Sequence, residues 1–185
     1  MKKKLYSIFS ALLVAMLMAS PAAAGGFRIT FGLKSLAADM TAWGLPSSTD
    51  YVFRLDASGI ASVVCTNYGG NQAPGQNYPH VDGRDSNHVP KTDIKKGGKV
   101  VTSLEAIPPE EVNPNISWDA GGCPNSNWSA RVDFVYWQTA EVQIESVATG
   151  QVTSYKYSCV TTRTGPRGNP TSTFDDGTVT CTRIN

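Results

Sequence analysis

Apolar and polar residues alternate along most of the chain, and this alternation limits the possible folds more than any other feature. It is regular in the stretches Phe27–Leu33 and Tyr51–Ala57. A spacing of two sends neighbouring side chains to opposite faces of a strand, whereas a helix needs apolar residues every three or four positions. No helical spacing persists beyond two turns. The sequence therefore predicts about nine short strands, over residues 27–34, 40–43, 51–57, 60–65, 100–107, 128–136, 141–147, 153–162 and 178–184.

Turns and loops between these strands favour one domain of two packed sheets. Tight-turn signals occur at 57–59, 149–151 and 175–177. Three longer loops are predicted over residues 67–90, 108–127 and 163–176, and ordered loops longer than about 12–15 residues are often functional. We expect an all-β fold, a disulfide-stapled antiparallel β-sandwich of immunoglobulin-like character. A jelly roll or a closed barrel is the alternative.

Residues 1–24 have the pattern of a removable export signal. Lysines at positions 2–4 precede an apolar run from Leu5 to Met18, and residues 22–24 are alanines that suit cleavage. The apolar run is shorter than the roughly 20 residues that a membrane-spanning helix needs. We expect a secretion signal peptide over 1–24 and a single domain over 25–185. The expected location is secreted, extracellular or periplasmic.

Four cysteines follow the signal, and none of them forms a close pair with another. An even number in an exported protein predicts two disulfides, with three possible connectivities. Cys159 and Cys181 lie on two strand-like runs placed symmetrically about residue 170, which favours a Cys159–Cys181 bridge across a hairpin. Cys65 and Cys123 would then pair, joining the start of loop 67–90 to the end of loop 108–127.

Charge and composition exclude several classes of protein. The net charge of +1 includes three signal lysines, so the exported chain has 1 − 3 = −2. This balance argues against nucleic-acid binding driven by phosphate attraction and against a polybasic membrane anchor. Seventeen glycines, eleven prolines and 17% charged residues argue against a helical bundle. The expected partner is an extracellular polymer or protein.

Three stretches resemble a group of small exported bacterial proteins of uncharacterised function. They are Cys-Thr-Asn-Tyr-Gly-Gly-Asn-Gln-Ala-Pro-Gly-Gln-Asn at 65–77, Gly-Cys-Pro-Asn-Ser-Asn-Trp at 122–128 and Tyr-Ser-Cys-Val-Thr-Thr at 157–162. The resemblance extends from about residue 33 to residue 181. It implies export and a β fold, and it implies no catalytic residues.

Enzymatic chemistry has little support in the sequence. The weak candidates for a metal site, which a metal-dependent hydrolase would need, are His80, Asp82, Asp85 and His88. Imidazole and carboxylate suit zinc or copper, but the spacing matches no ligand motif, and a solvated polar loop is the favoured interpretation. The chain lacks a Gly-x-Ser-x-Gly nucleophile elbow. We expect no catalytic residue, no cofactor and no enzyme activity.

Binding through the long loops is the favoured function, because loops on a rigid scaffold often carry recognition. The candidates are amides and aromatic rings that would suit a polar, uncharged ligand. They are Asn71, Gln72, Gln76, Asn77, Tyr78, Trp118 and Trp137, with Trp137 expected on the strand face opposite Phe134. The alternative is a self-assembling surface or matrix subunit, for which the predicted strand Glu141–Val147 would offer an open edge.

Overall fold

The computed structural model describes residues 25–33, 35–109, 113–165 and 177–184. Ten strands run through these residues in chain order. They are β1 (Gly26–Gly32), β2 (Leu36–Trp43), β3 (Tyr51–Asn67), β4 (Gln72–Pro74), β5 (His80–Val89), β6 (Val100–Ala106), β7 (Asn115–Ile116), β8 (Trp128–Ser146), β9 (Val152–Arg163) and β10 (Gly177–Arg183). A short 3₁₀ turn, Lys91–Asp93, follows β5. The predicted export signal and most of the predicted loop 163–176 lie outside the described residues.

The strands form two antiparallel sheets. The smaller sheet has the order β1-β2-β6. The larger sheet has the order β10-β9-β8-β3, with β4 and β5 also paired to β3 and β7 paired to β8. The sheets do not close into a barrel, and the small sheet covers part of one face of the large one. The predicted all-β fold of antiparallel sheets is confirmed, and it is consistent with a sandwich rather than a barrel.

Strands β3 and β8 are much longer than the sequence predicts. Each was expected as two short strands, but they are 17 and 19 residues long and pair along nearly their whole length. The turn predicted at residues 57–59 is therefore wrong. A Cβ on Gly59 would lie 2.4 Å from the carbonyl oxygen of Tyr136, so this glycine allows a close approach of two backbones and does not make a turn.

Two bulges on β8 change which of its side chains face the core. Ser58 pairs with Thr139 but Gly59 pairs with Trp137, and at the second register shift Ser62 pairs with Phe134 but Val63 pairs with Val132. Each extra residue reverses the inside–outside alternation, because successive side chains of a strand point to opposite faces. The inward residues of β8 are consequently Ala130, Val132, Val135, Trp137, Ala140, Val142 and Ile144, all of them buried.

The main core lies between the small sheet and the half of the large sheet that begins at Tyr51. Trp137 is 1% exposed there, and its indole nitrogen donates a hydrogen bond of 2.9 Å to the carbonyl oxygen of Ser35. Aromatic contacts join the two sheets: Phe27 of β1 stacks on Tyr155 of β9 with ring centroids 4.4 Å apart. A buried indole of this kind fixes the distance between the sheets.

Both predicted disulfides are present. Cys159 and Cys181 are register partners on β9 and β10, and Cys65 of β3 is bonded to Cys123 in the segment before β8. The Cys65–Cys123 bridge lies in a small core of its own, formed by Cys65, Cys123, Val63 and Ala130. The large sheet therefore extends beyond the sandwich, and this extension carries a separate stapled core.

The open edge predicted at Glu141–Val147 is wrong. Residues 141–145 belong to β8 and are paired on one side with β3 and on the other with β9. Their polar side chains lie on the outer face of a central strand. Among the described residues, no helix is long and apolar enough to cross a membrane.

Candidate binding surface

The part of the large sheet beyond the sandwich, which we call the stapled end, consists of residues 61–79 and 113–130. It contains the last residues of β3, the strands β4 and β7, the start of β8 and the loops that connect them. The Cys65–Cys123 bridge joins its two segments, with Cα atoms 5.6 Å apart. The two loop regions predicted to carry recognition are thereby held together.

A tight turn closes β3 onto β4 and presents a tyrosine. The amide of Gly70 donates to the carbonyl of Asn67 at 2.9 Å, and the amide of Asn71 donates to the side-chain oxygen of Asn67, also at 2.9 Å. Gly70 has a φ of 78°, which a glycine adopts without strain. Tyr68 at the tip of this turn is 91% exposed.

A second set of hydrogen bonds joins residues 75–77 to the compact turn at 117–123. The amides of Gln76 and Asn77 donate to the carbonyls of Gly122 and Gly121 at 3.3 and 3.4 Å. The side chain of Asn77 donates to the carbonyl of Asp119 at 3.0 Å. A Cβ on Gly122 would lie 2.6 Å from the Asn77 nitrogen, so the glycine permits this contact. The loops are ordered by the backbone as well as by the disulfide.

Aromatic side chains of the stapled end are partly exposed to solvent. Tyr78 is 52% exposed and Trp118 is 39% exposed, and both flank the contacts described above. Trp128 lies partly buried against the small core. Aromatic rings held by a rigid backbone are side chains that many binding surfaces use to contact a ligand or a partner.

The stapled end carries almost no charge. Within residues 61–79 and 113–130 the only Asp, Glu, Lys or Arg is Asp119. Hydrogen bonds from the Ser117 side chain and from the backbone N–H groups of Ala120 and Asp119 lower the pKa of Asp119, so its carboxyl group is ionised at neutral pH. The remaining polar groups are amides and hydroxyls, which both donate and accept hydrogen bonds.

Six of the seven predicted binding residues lie at the stapled end, and one does not. Asn71 lies on the β3–β4 turn and Gln72 is the first residue of β4, and the other candidates at this end are Gln76, Asn77, Tyr78 and Trp118. The seventh candidate, Trp137, is 1% exposed, because the bulge between Val132 and Phe134 turns its face of β8 into the main core, so it is not part of the stapled end. Tyr68, the most exposed ring of the stapled end, was not among the predicted residues. The Tyr-Gly-Gly sequence, which is typical of a turn, could have indicated that Tyr68 is exposed.

The predicted loop 67–90 is a loop only in part. Residues 80–89 form strand β5, which pairs with β3. This places the four weak metal candidates on a strand, where His80 and Asp82 contact each other while Asp85 and His88 contact other residues. His80 contacts Asp82 at 3.1 Å, His88 contacts Asp50 at 3.4 Å, and Asp85 accepts from the amide of Glu105 at 2.9 Å. In the part of the chain that the structure describes, no three His, Cys, Asp or Glu side chains gather as metal ligands.

Comparison with known proteins adds no relative. No protein-family profile, curated protein or solved structure matches this chain.

Proposed function

We propose that this chain is an exported, non-catalytic binding module that holds an uncharged polar polymer, foremost a glycan, through the stapled end. The observation that carries the proposal is the exposure of Tyr68, Tyr78 and Trp118 on a disulfide-linked, charge-poor frame. The two disulfides are typical of proteins that function outside the cytoplasm, which supports the export that the signal-like segment 1–24 predicts.

The chemistry of the stapled end fits such a ligand. The flat face of an aromatic ring packs against the C–H face of a sugar, and amides satisfy hydroxyl groups as donor and acceptor. Tyr, Trp, Asn, Ser and Gly also dominate the binding loops of antibodies, because rigid rings lose little entropy and small polar residues adapt. A strongly charged polymer would find a single ionised carboxylate, Asp119, and neither Lys nor Arg within residues 61–79 and 113–130.

A polysaccharide-binding screen with matched tryptophan variants tests this proposal. Trp118→Ala should weaken binding about tenfold, which is roughly 1.4 kcal/mol. Trp43→Ala is the control, since Trp43 is 36% exposed compared with 39% for Trp118 but lies at the end of β2. Equal losses in both variants, or no binding to any neutral polysaccharide, would contradict the proposal.

A self-assembling surface subunit is the second candidate. Strand β10 is the terminal strand of the large sheet in the described part of the chain, and an unpaired strand edge can pair with another copy. Light scattering coupled to size exclusion would show growing oligomers with rising concentration if this function is correct. A strict monomer at millimolar concentration would exclude it and leave the binding module unaffected. No observation of this kind supports the hydrolase alternative, because His80, Asp82, Asp85 and His88 do not gather at one metal site in the described part of the chain.

A further inference from the structure

We propose that an apolar cleft at the other end of the large sheet binds a small, neutral aromatic molecule. The cleft has a volume of about 170 Å³ and lies between the segment before β3 and the turn that joins β8 to β9. Tyr51 and Ile144 lie at its base, and Leu45, Pro46, Ala148 and Val152 complete its apolar wall. This site is separate from the proposed function. Tyr51 and Asn67 are the two ends of β3, about 50 Å apart at roughly 3.3 Å per residue.

The volume of the cleft is enough for one aromatic ring system. The cleft opens to solvent beside the main core, to which Leu45, Tyr51 and Ile144 belong. A cavity of about 150 Å³ lined by apolar side chains binds benzene. The cleft of this protein therefore has room for one six-membered ring or an indole, and not for a chain of sugars.

The walls of the cleft are fixed by hydrogen bonds. The hydroxyl of Thr49 accepts from the amide of Ala148 at 3.0 Å, and the amide of Val147 donates to the carbonyl of Asp50 at 3.0 Å. The amide of Leu45 donates to the carbonyl of Gly98 at 3.2 Å. These bonds tie the two walls to each other and to a third loop, so the cleft is preformed and a ligand does not have to order it.

The lining favours a neutral, largely apolar ligand, because its polar members, such as Ser48, Thr49 and Gln151, carry uncharged hydroxyl and amide groups. The described residues around the cleft are all uncharged, and a charged ligand would lose its hydration without gaining a counter-charge. Tyr51 is 4% exposed at the base, and burial raises the pKa of its hydroxyl, which stays protonated at neutral pH. A phenol or an indole would place its ring against Leu45 and Ile144 and its polar atom toward this hydroxyl.

Titration of the folded protein with phenol, indole and benzene, followed by amide chemical shifts, tests the site. Saturable shifts are expected at Tyr51, Ile144 and Val152. Ala148→Trp, on the exposed rim, should close the cleft and weaken binding at least tenfold, whereas Ala148→Ser should bind within twofold of wild type. Tyr51→Phe should weaken phenol binding about fivefold and leave benzene binding unchanged, because it removes a single hydrogen bond.

Three results with the small-molecule probes would overturn the proposal. They are the absence of saturable shifts up to the solubility limit of all three probes, undiminished binding by a folded Ala148→Trp variant, and shifts confined to the stapled end. Binding of a tryptophan-containing peptide without binding of indole would also overturn it, because the cleft would then hold a partner's side chain and not a free small molecule.

Discussion

Removal of the Cys65–Cys123 bridge tests how the stapled end is held together. The change is the double variant Cys65→Ala/Cys123→Ala, and Cys159→Ala/Cys181→Ala is the matched control. The bridges close sequence separations of 58 and 22. By the chain-entropy relation they should contribute about 4.2 and about 3.4 kcal/mol to the free energy of unfolding at 25 °C, a difference of about 0.9 kcal/mol.

Packing adds to this difference in the same direction. Cys65 is 0% exposed and Cys123 is 6% exposed, and their sulfur atoms fill the small core beside Val63 and Ala130. In the control pair Cys159 is also 6% exposed, but Cys181 is only partly buried against the main core. Alanines at these positions leave space that the surrounding residues fill only in part, which adds a cavity cost. We therefore expect the loss of Cys65–Cys123 to cost more than the loss of Cys159–Cys181, by about 1 kcal/mol or more.

Reversible urea unfolding of the two variants measures the costs, and hydrogen exchange locates them. In the Cys65–Cys123 variant the amides of Gly75, Asn77 and Cys123, whose hydrogen bonds order the two segments, should exchange faster than in the control variant. A cost below about 2 kcal/mol, the lower end of the usual range for a disulfide, or a larger cost for the control, would refute the reasoning. So would unchanged exchange at these three amides, because the stapled end would then be ordered without its bridge.

Two further predictions concern the rest of the large sheet and the small one. In urea unfolding, Gly59→Ala should lower the free energy of unfolding by about 1–3 kcal/mol, because the new Cβ would lie 2.4 Å from the Tyr136 carbonyl oxygen. Gly32→Ala is the control. Its Cβ would meet no atom closer than 3.8 Å, so the free energy of unfolding should change by less than about 0.5 kcal/mol. Hydrogen bonds, chiefly from the Ser154 hydroxyl, lower the pKa of Glu141 in the folded protein. The ionised carboxylate therefore contributes fully to stability above the unfolded-state pKa of about 4.3, and this contribution is lost as the pH falls through the lower pKa of the folded state. The difference in unfolding free energy between wild type and Glu141→Gln should shrink between pH 6 and pH 3, and a constant difference would contradict the assignment.

The sequence predicts the class of fold well because its signals are local. Period-two alternation requires only neighbouring residues, and it correctly predicts strand in the regions of β1, β2, β3, β6, β8, β9 and β10, although β4, β5 and β7 lie in segments that were predicted as loops. The disulfide pairing is also correct, since a hairpin places Cys159 opposite Cys181 and leaves one pair over. The turn at residues 149–151 follows from its glycine, and the amide of Gly150 donates to the carbonyl of Ser146 there.

The length of β3 and β8 could not be predicted, because it depends on contacts between distant residues. Gly59 has the local signature of a turn, yet it lies in a strand because the backbone of Tyr136 passes close to it. The bulges on β8 have no local signature, and each one reverses the face of every later side chain. The error on Trp137 comes from the bulge that precedes it. The error on the Glu141–Val147 edge comes from pairing with β3 on one side and β9 on the other, which no local pattern shows.

The candidate site was predictable in its location but not in its construction. Proximity of the two loop regions follows from pairing Cys65 with Cys123. Asn77 contacts the turn at 117–123 and so fixes the angle between the loops. These contacts include a backbone hydrogen bond, which cannot be predicted from the types of residue in the sequence. The apolar cleft at Tyr51 was missed entirely, since its wall is assembled from two turns that are far apart in the chain and joined by the bond between Thr49 and Ala148.

Mapping a bound neutral oligosaccharide by amide chemical shifts tests the central claim most directly. The oligosaccharide is a fragment of a polysaccharide that binds in the screen. If the stapled end binds the oligosaccharide, we expect amide shifts that are confined to residues 61–79 and 113–130 and are largest around Tyr68, Tyr78 and Trp118. Shifts on the polar outer face of the large sheet, around Asp56, Glu141 and Lys156, with none at the stapled end would contradict it.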